Sequence, residues 1–212
     1  MKTILIVGLS FLYVFVYAQE PVIPKGYLLL EEKMGDLDKD GISEKVRVYN
    51  TTDTTEDGIG REIFILKKAG EQWTAWKRST NAILRSNEGG MMGDPFQGIE
   101  IKNGLLIISV AGGSSWKWSH DDKYRFQNNE FELIGYTSNA GKPCEYWINL
   151  DFNISTGKMI YKKEYEDCEK DQGIYKKEEE VFYKKGIKLN LRNRNNQEIR
   201  IVLPKYKHEV YL

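Results

Sequence analysis

Residues 145–152 read EYWINLDF, and their spacing decides the fold class. Tyr146, Ile148, Leu150 and Phe152 fall on one face; Trp147, Asn149 and Asp151 fall on the other. A period of two is the signature of a half-buried strand. The rule recurs at Val46 and Val48, at Ile63 and Ile65, at Ile187, Leu189 and Leu191, and at Ile199, Ile201 and Leu203. Turn signals separate these runs. Asn103-Gly104 stands between IEIK (99–102) and LLII (105–108), a two-residue hairpin pattern. Ala69-Gly70, Asn128-Asn129, Thr156-Gly157 and Asn193–Asn196 mark further hairpins. No segment keeps a helical period between two caps. Glu164–Glu180 is dense in Lys and Glu with few apolar positions, and reads as a long solvated hairpin loop. The expectation is an all-β, antiparallel meander of about 11–12 strands, built as propeller-like blades or as two packed sheets.

The chain has 212 residues, 41% hydrophobic and 12% aromatic, which suits one globular domain and excludes a wholly disordered chain. Its 31 basic and 31 acidic side chains balance, which argues against a nucleic-acid partner. Two His and two Cys leave little for a zinc site or an iron–sulfur cluster.

Residues 1–18 read MKTILIVGLSFLYVFVYA. Lys2 precedes an apolar run from Ile4 to Tyr17, and Val16-Tyr17-Ala18 suits signal peptidase, so cleavage after Ala18 is expected. The run is shorter than the roughly 20 residues that span a bilayer, and Gln19, Glu20 and Pro21 end it. No later segment is apolar enough to cross a membrane. The reading is a signal peptide over 1–18 and a single exported domain over 19–212, periplasmic or extracellular. Export bears on Cys144 and Cys168: an oxidising compartment permits a disulfide, and two buried thiols are the alternative.

A weak repeat runs through the domain. Gly35-Asp36 and Gly93-Asp94 are 58 positions apart, as are Trp73 and Phe131. This suggests repeat units near 27–79, 80–138 and 144–212. A β meander yields such offsets by coincidence too.

One constellation carries chemistry. Residues 35–46 read GDLDKDGISEKV. Asp36, Asp38 and Asp40 recur at alternate positions, Gly41 permits a sharp turn, and Glu44 follows. Three carboxylates on a curled loop converge, and without a cation they repel. Hard oxygen ligands suit Ca²⁺, with the carbonyl of Ile42 turned inward and Glu44 closing the site. An affinity of order 10⁻⁴–10⁻³ M is expected for an extracellular module. The pattern is not a full EF-hand, because Arg47 stands where the bidentate Glu belongs and strand-like residues flank the loop. An Asx-stabilised turn without metal is the alternative.

Gly35 through Val48, with Ile63–Leu66 as a following strand, resembles the calcium loop of FG-GAP/VCBS repeats. Those repeats form blades of the integrin-α-type β-propeller, so the resemblance implies a structural Ca²⁺ site and strand-built blades. MGDPFQGIEIKNG (92–104) and WKW (116–118) resemble exported bacterial proteins with one such loop. A propeller repeats the loop, whereas here Asp94-Pro95-Phe96-Gln97 keeps one carboxylate at the second position. Three units also fall short of the four to eight blades that close a propeller.

Other features give weaker signals. Trp116 and Trp118 flank Lys117 and are expected to share a strand face, as core or as an aromatic platform for a sugar. Ala111–Ser115 lacks nucleophile-elbow spacing, and His120 and His208 read as exposed polar residues. Asp94 and Glu100 are the carboxylates available to a hydrolase, with nothing to set them across a cleft. The sequence therefore points to a non-enzymatic β-domain with a calcium loop and a protein or envelope-glycan partner. A carbohydrate-binding module at Trp116/Trp118 comes second and a carboxylate hydrolase third. No catalytic residue is assigned.

Overall fold

The computed structural model describes residues 22–169, 173–195 and 198–212, so the leader expected over 1–18 lies outside the described residues. Thirteen strands are present among the described residues, one or two more than expected. β1 (Leu28–Gly35), β2 (Glu44–Thr55), β3 (Gly58–Ala69) and β4 (Gln72–Ser79) form a four-stranded sheet in that order. A connection with one 3₁₀ turn at Gly90–Met92 leads to the second sheet. Its strands are β5 (Phe96–Lys102), β6 (Leu105–Gly113), β7 (Lys117–Gln127), β8 (Glu130–Lys142), β9 (Tyr146–Asn153), β10 (Lys158–Asp167) and β11 (Gly173–Tyr183). All seven pair antiparallel with their sequence neighbours. A short hairpin of β12 (Arg200–Val202) and β13 (Glu209–Tyr211) follows.

Of the two architectures the sequence allows, packed sheets are the one observed. β8 and β9 pair along their length, so 80–138 and 144–183 share one sheet rather than standing as separate blades. The 58-residue offset nevertheless carries Gly58–Ala69 onto the span of β7 to within a residue, and Gln72 onto the start of β8.

Alternation explains most of the burial. Leu106, Ile108 and Val110 of β6 point inward, as do Leu150 and Phe152 of β9. One core joins Val46, Val48, Ile63 and Ile65 of the first sheet to Ile99, Leu106, Ile108, Tyr124, Phe131 and Leu133 of the second. A second core joins Leu150, Phe152, Met159 and Tyr161 to Ile201, Leu203, Val210 and Leu212. The inner face of the large sheet is thus covered by the small sheet on one half and by the β12–β13 hairpin on the other. In β3 the alternation fails because both faces are buried: Tyr49, Phe64 and Leu66 pack under Ile23, Tyr27 and Trp73.

Two local expectations are corrected. Glu164–Glu180 is a hairpin of paired strands wherever it is described, rather than a loop. Opposite charges sit across from one another: Glu164 meets Lys177 at 2.7 Å, and Lys162 meets Glu179 at 3.6 Å. Such cross-strand pairs stabilise a strand that has few apolar groups. Conversely, Ile187–Leu191 forms no strand. It makes a single bridge, Asn190 to Glu132, and buries Leu189 and Leu191 in the first core. The turn expected over 193–196 is present at 193–195, and Asn196 lies outside the described residues.

Cys144, in the β8–β9 turn, and Cys168, beyond β10, are joined in a disulfide with Cα atoms 5.0 Å apart.

Candidate metal centre

β1 ends at Gly35, whose backbone runs against Ile101 of β5. A Cβ at this position would lie 2.5 Å from the Ile101 Cγ2. The chain then reverses through Lys39 and Gly41, both in the left-handed region at φ +66° and +87°. Glycine takes that conformation without steric cost. Leu37 turns into the core, 1% exposed, and the even-numbered side chains turn the other way.

The carboxylates organise the loop's own backbone. Asp36 accepts from the Lys39 N–H at 2.6 Å with one oxygen and from the Gly41 N–H at 3.0 Å with the other. Asp38 accepts from Asp40 N–H at 3.3 Å, and Asp40 accepts from Ile42 N–H at 2.8 Å. As a result one oxygen from each of Asp36, Asp38 and Asp40 lies within 4.8 Å of the others. Like charges this close need a cation. Lys67 of β3 supplies one: its Nζ pairs with Asp38 and, at 3.0 Å, with Asp40. It also sits 5.1 Å from the Trp76 ring centroid. No local pattern marks Lys67, because it is the β2–β3 register that brings it to the loop.

Glu44, expected to close the site, is placed differently from the trio, while Ile42, expected to offer its carbonyl, gives its N–H to Asp40. The Ile42 side chain is exposed. Glu44 opens β2 and is fully buried. Its Oε2 accepts from Leu37 N–H at 2.7 Å, while its Oε1 is buried without a hydrogen-bond partner among the described residues. Burial pushes the Glu44 carboxyl up; the Leu37 N–H opposes this, and the nearby Asp38 and Asp40 charges add to the rise. The Ile42 N–H, and after it Lys67, hold the Asp40 carboxyl below its usual range. Hydrogen bonds to Asp38 and Asp40 raise the Lys67 ammonium well above its ordinary value. The site offers only hard oxygen donors, the set that suits Ca²⁺.

The other sequence candidates lie apart. Trp116 is in the turn before β7, 43% exposed, and donates from Nε1 to Tyr146 Oη at 3.0 Å. Trp118 lies within β7 with its indole against Gly112, and is stacked on His120 at 6.0 Å. The two do not share a strand face, because the strand starts between them. Asp94 is engaged by the buried guanidinium of Arg61, and Glu100 is exposed on β5.

The fold and this loop together define an antiparallel two-sheet β-domain with a curled acidic turn on its first hairpin. Comparison with family models, with curated proteins and with solved structures finds no match to this chain.

Proposed function

We propose that this chain is an exported, non-enzymatic β-domain. In this reading Asp36, Asp38 and Asp40, with Glu44 and the Ile42 carbonyl, hold a Ca²⁺ ion that clamps the β1–β2 hairpin. The observation that carries it is the Glu44 carboxylate oxygen, buried without a partner beside three convergent carboxylates. A buried charge with an unused lone pair is costly, and a cation relieves it. The likeness of residues 35–48 to the FG-GAP/VCBS loop supports the same ion, and the leader-like residues 1–18 support a periplasmic or extracellular setting rich in Ca²⁺. The engagement of Asp94 by Arg61 supports a role in binding over hydrolysis. The partner class is a protein or a cell-envelope glycan.

The test is thermal unfolding of the exported chain in 10 mM Ca²⁺ and in excess chelator, repeated with Asp38→Ala and Lys67→Met. A site of 10⁻⁴–10⁻³ M affinity adds about 1.4–2.7 kcal/mol, a rise of about 3–10 °C. The Asp38→Ala chain should lose the rise. Lys67→Met, which removes the internal cation, should enlarge it. A melting temperature that ignores Ca²⁺ in the parent and in Lys67→Met overturns the reading and leaves Lys67 as the loop's counter-ion.

A further inference from the structure

The large sheet has two faces, and only one is covered. β registers place the side chains of the other face in cross-strand rows. Ser119, Asn139, Asn149 and Lys162 form one row across β7–β10. Ser109, Asp121, Thr137 and Asp151 form the next across β6–β9. All of them but Ser109 line an open hollow of about 450 Å³ on the sheet surface.

We propose that this hollow binds an uncharged polysaccharide strand laid across β7–β10. The polar floor is partly pre-ordered. Ser109 Oγ donates to Asp121 at 2.6 Å, Thr137 Oγ1 donates to its other oxygen at 3.5 Å, and Asn139 Nδ2 donates to Asn149 Oδ1 at 2.8 Å. This leaves the Asn139 carbonyl and the Asn149 amide with capacity for a ligand, and Asp121 with further lone pairs. Asp151, exposed beside them, has no partner among the described residues.

Sugar hydroxyls both donate and accept, so they need carboxylates and amides side by side, and here the row that carries the amides lies next to the row that carries the carboxylates. Along β9 the next outward residue is Trp147, half-buried and opposite Gly141. A Cβ on Gly141 would lie 2.9 Å from the indole Cε3, so the ring edge rests over bare backbone at the end of the polar rows. An aromatic surface beside convergent polar groups is the recurrent composition of a specific ligand site.

The chemistry also selects against other ligands. Asp121 and Asp151 repel a polyanion. The aliphatic residues of the hollow are Leu150, buried, and Ile160, half-buried, too little for a lipid or an apolar helix. The Lys162 charge is matched by Glu179 at 3.6 Å, so the floor offers no free cation to draw in a polyanion. The inference is independent of the calcium loop, which lies on the other sheet.

The experiment is calorimetric titration of the purified chain with cellohexaose, xylohexaose, mannohexaose and chitohexaose, with dextran sulfate as the charged control. At least one neutral hexasaccharide should bind. Asn149→Ala and Asp151→Ala should each weaken that binding tenfold or more. Both residues are exposed, so the melting temperature should stay unchanged and separate lost binding from lost folding. Lys33→Ala, exposed on β1 of the other sheet, should leave binding intact. The inference is overturned if none of the four sugars binds at millimolar concentration. It is equally overturned if binding survives both substitutions, or if only dextran sulfate binds.

Discussion

The guanidinium of Arg194 donates to both carboxylate oxygens of Asp122, at 2.6 and 3.3 Å, with both side chains buried. Tyr124 adds a third donor to the same carboxylate at 3.1 Å. The pair ties the segment after the large sheet to the centre of that sheet, across 72 residues of sequence. Asp122→Ala leaves a buried cation and a buried hydroxyl without a partner. Urea unfolding should show a loss of about 3–5 kcal/mol, the usual cost of breaking a buried pair from one side. A loss under 1 kcal/mol would mean that water reaches Arg194.

Tyr161 gives the opposite sign. Its side chain is fully buried in the second core, and its hydroxyl has no hydrogen-bond partner among the described residues. An unsatisfied buried hydroxyl costs about 1–3 kcal/mol, so deleting it should not hurt. Tyr161→Phe should melt at the parent temperature or above it. Destabilisation by more than about 1 kcal/mol would reveal a partner for the hydroxyl.

Acid should act through Glu178. The Lys176 ammonium first, then His208 and the Tyr165 hydroxyl, pull its carboxyl down to about 2 from an ordinary 4.5. A carboxylate depressed by folding adds stability above its unfolded value, and that stability is lost as pH falls through the folded value. The contribution is therefore present above about pH 4.5 and disappears toward pH 2. Glu178→Gln should lower the melting temperature near neutrality and flatten its decline across that window. Parallel curves for the two proteins would contradict this.

The disulfide fastens the β8–β9 turn to the far end of β10, closing a separation of 24 residues. Replacing both cysteines with serine should cost about 3 kcal/mol in the chain-entropy account. Reducing agent should destabilise the parent by the same amount and leave the double variant unaffected.

Much of this molecule was legible from spacing. The alternation of Glu145–Phe152 and the Asn103-Gly104 turn are local signals, and both appear as read. The outward set of Trp147, Asn149 and Asp151 was equally plain, but its row neighbours depend on register with β7, β8 and β10. Local alternation also misled. Ile187, Leu189 and Leu191 alternate like a strand, yet their task is to fill the core between sheets, and their backbone bonds the Phe131–Leu133 stretch only at Leu133 and Leu191. The Lys/Glu tract failed as a loop because charge pairing between strands leaves no hydrophobic period. In the acidic loop the convergence of Asp36, Asp38 and Asp40 followed from their spacing, whereas Lys67 and the buried state of Glu44 are products of tertiary packing.

Both sheets are wound strictly in sequence order, with no crossover. Each hydrogen-bonded ladder therefore closes a short loop, and the entropy of closing it is small. This places the domain at the fast end for β topologies, where long-range pairing sets the rate. The apolar cores follow a different schedule. Leu189 and Leu191 complete one, and Ile201, Leu203, Val210 and Leu212 complete the other. During synthesis the two sheets can bury most of the first core as they meet, whereas the second stays open until residues 201–212 arrive. A ribosome-bound chain halted before Leu189 would have its two sheets able to close on one another while Leu150, Phe152, Met159 and Tyr161 stay uncovered, a bare face for a chaperone or a neighbouring chain to hold.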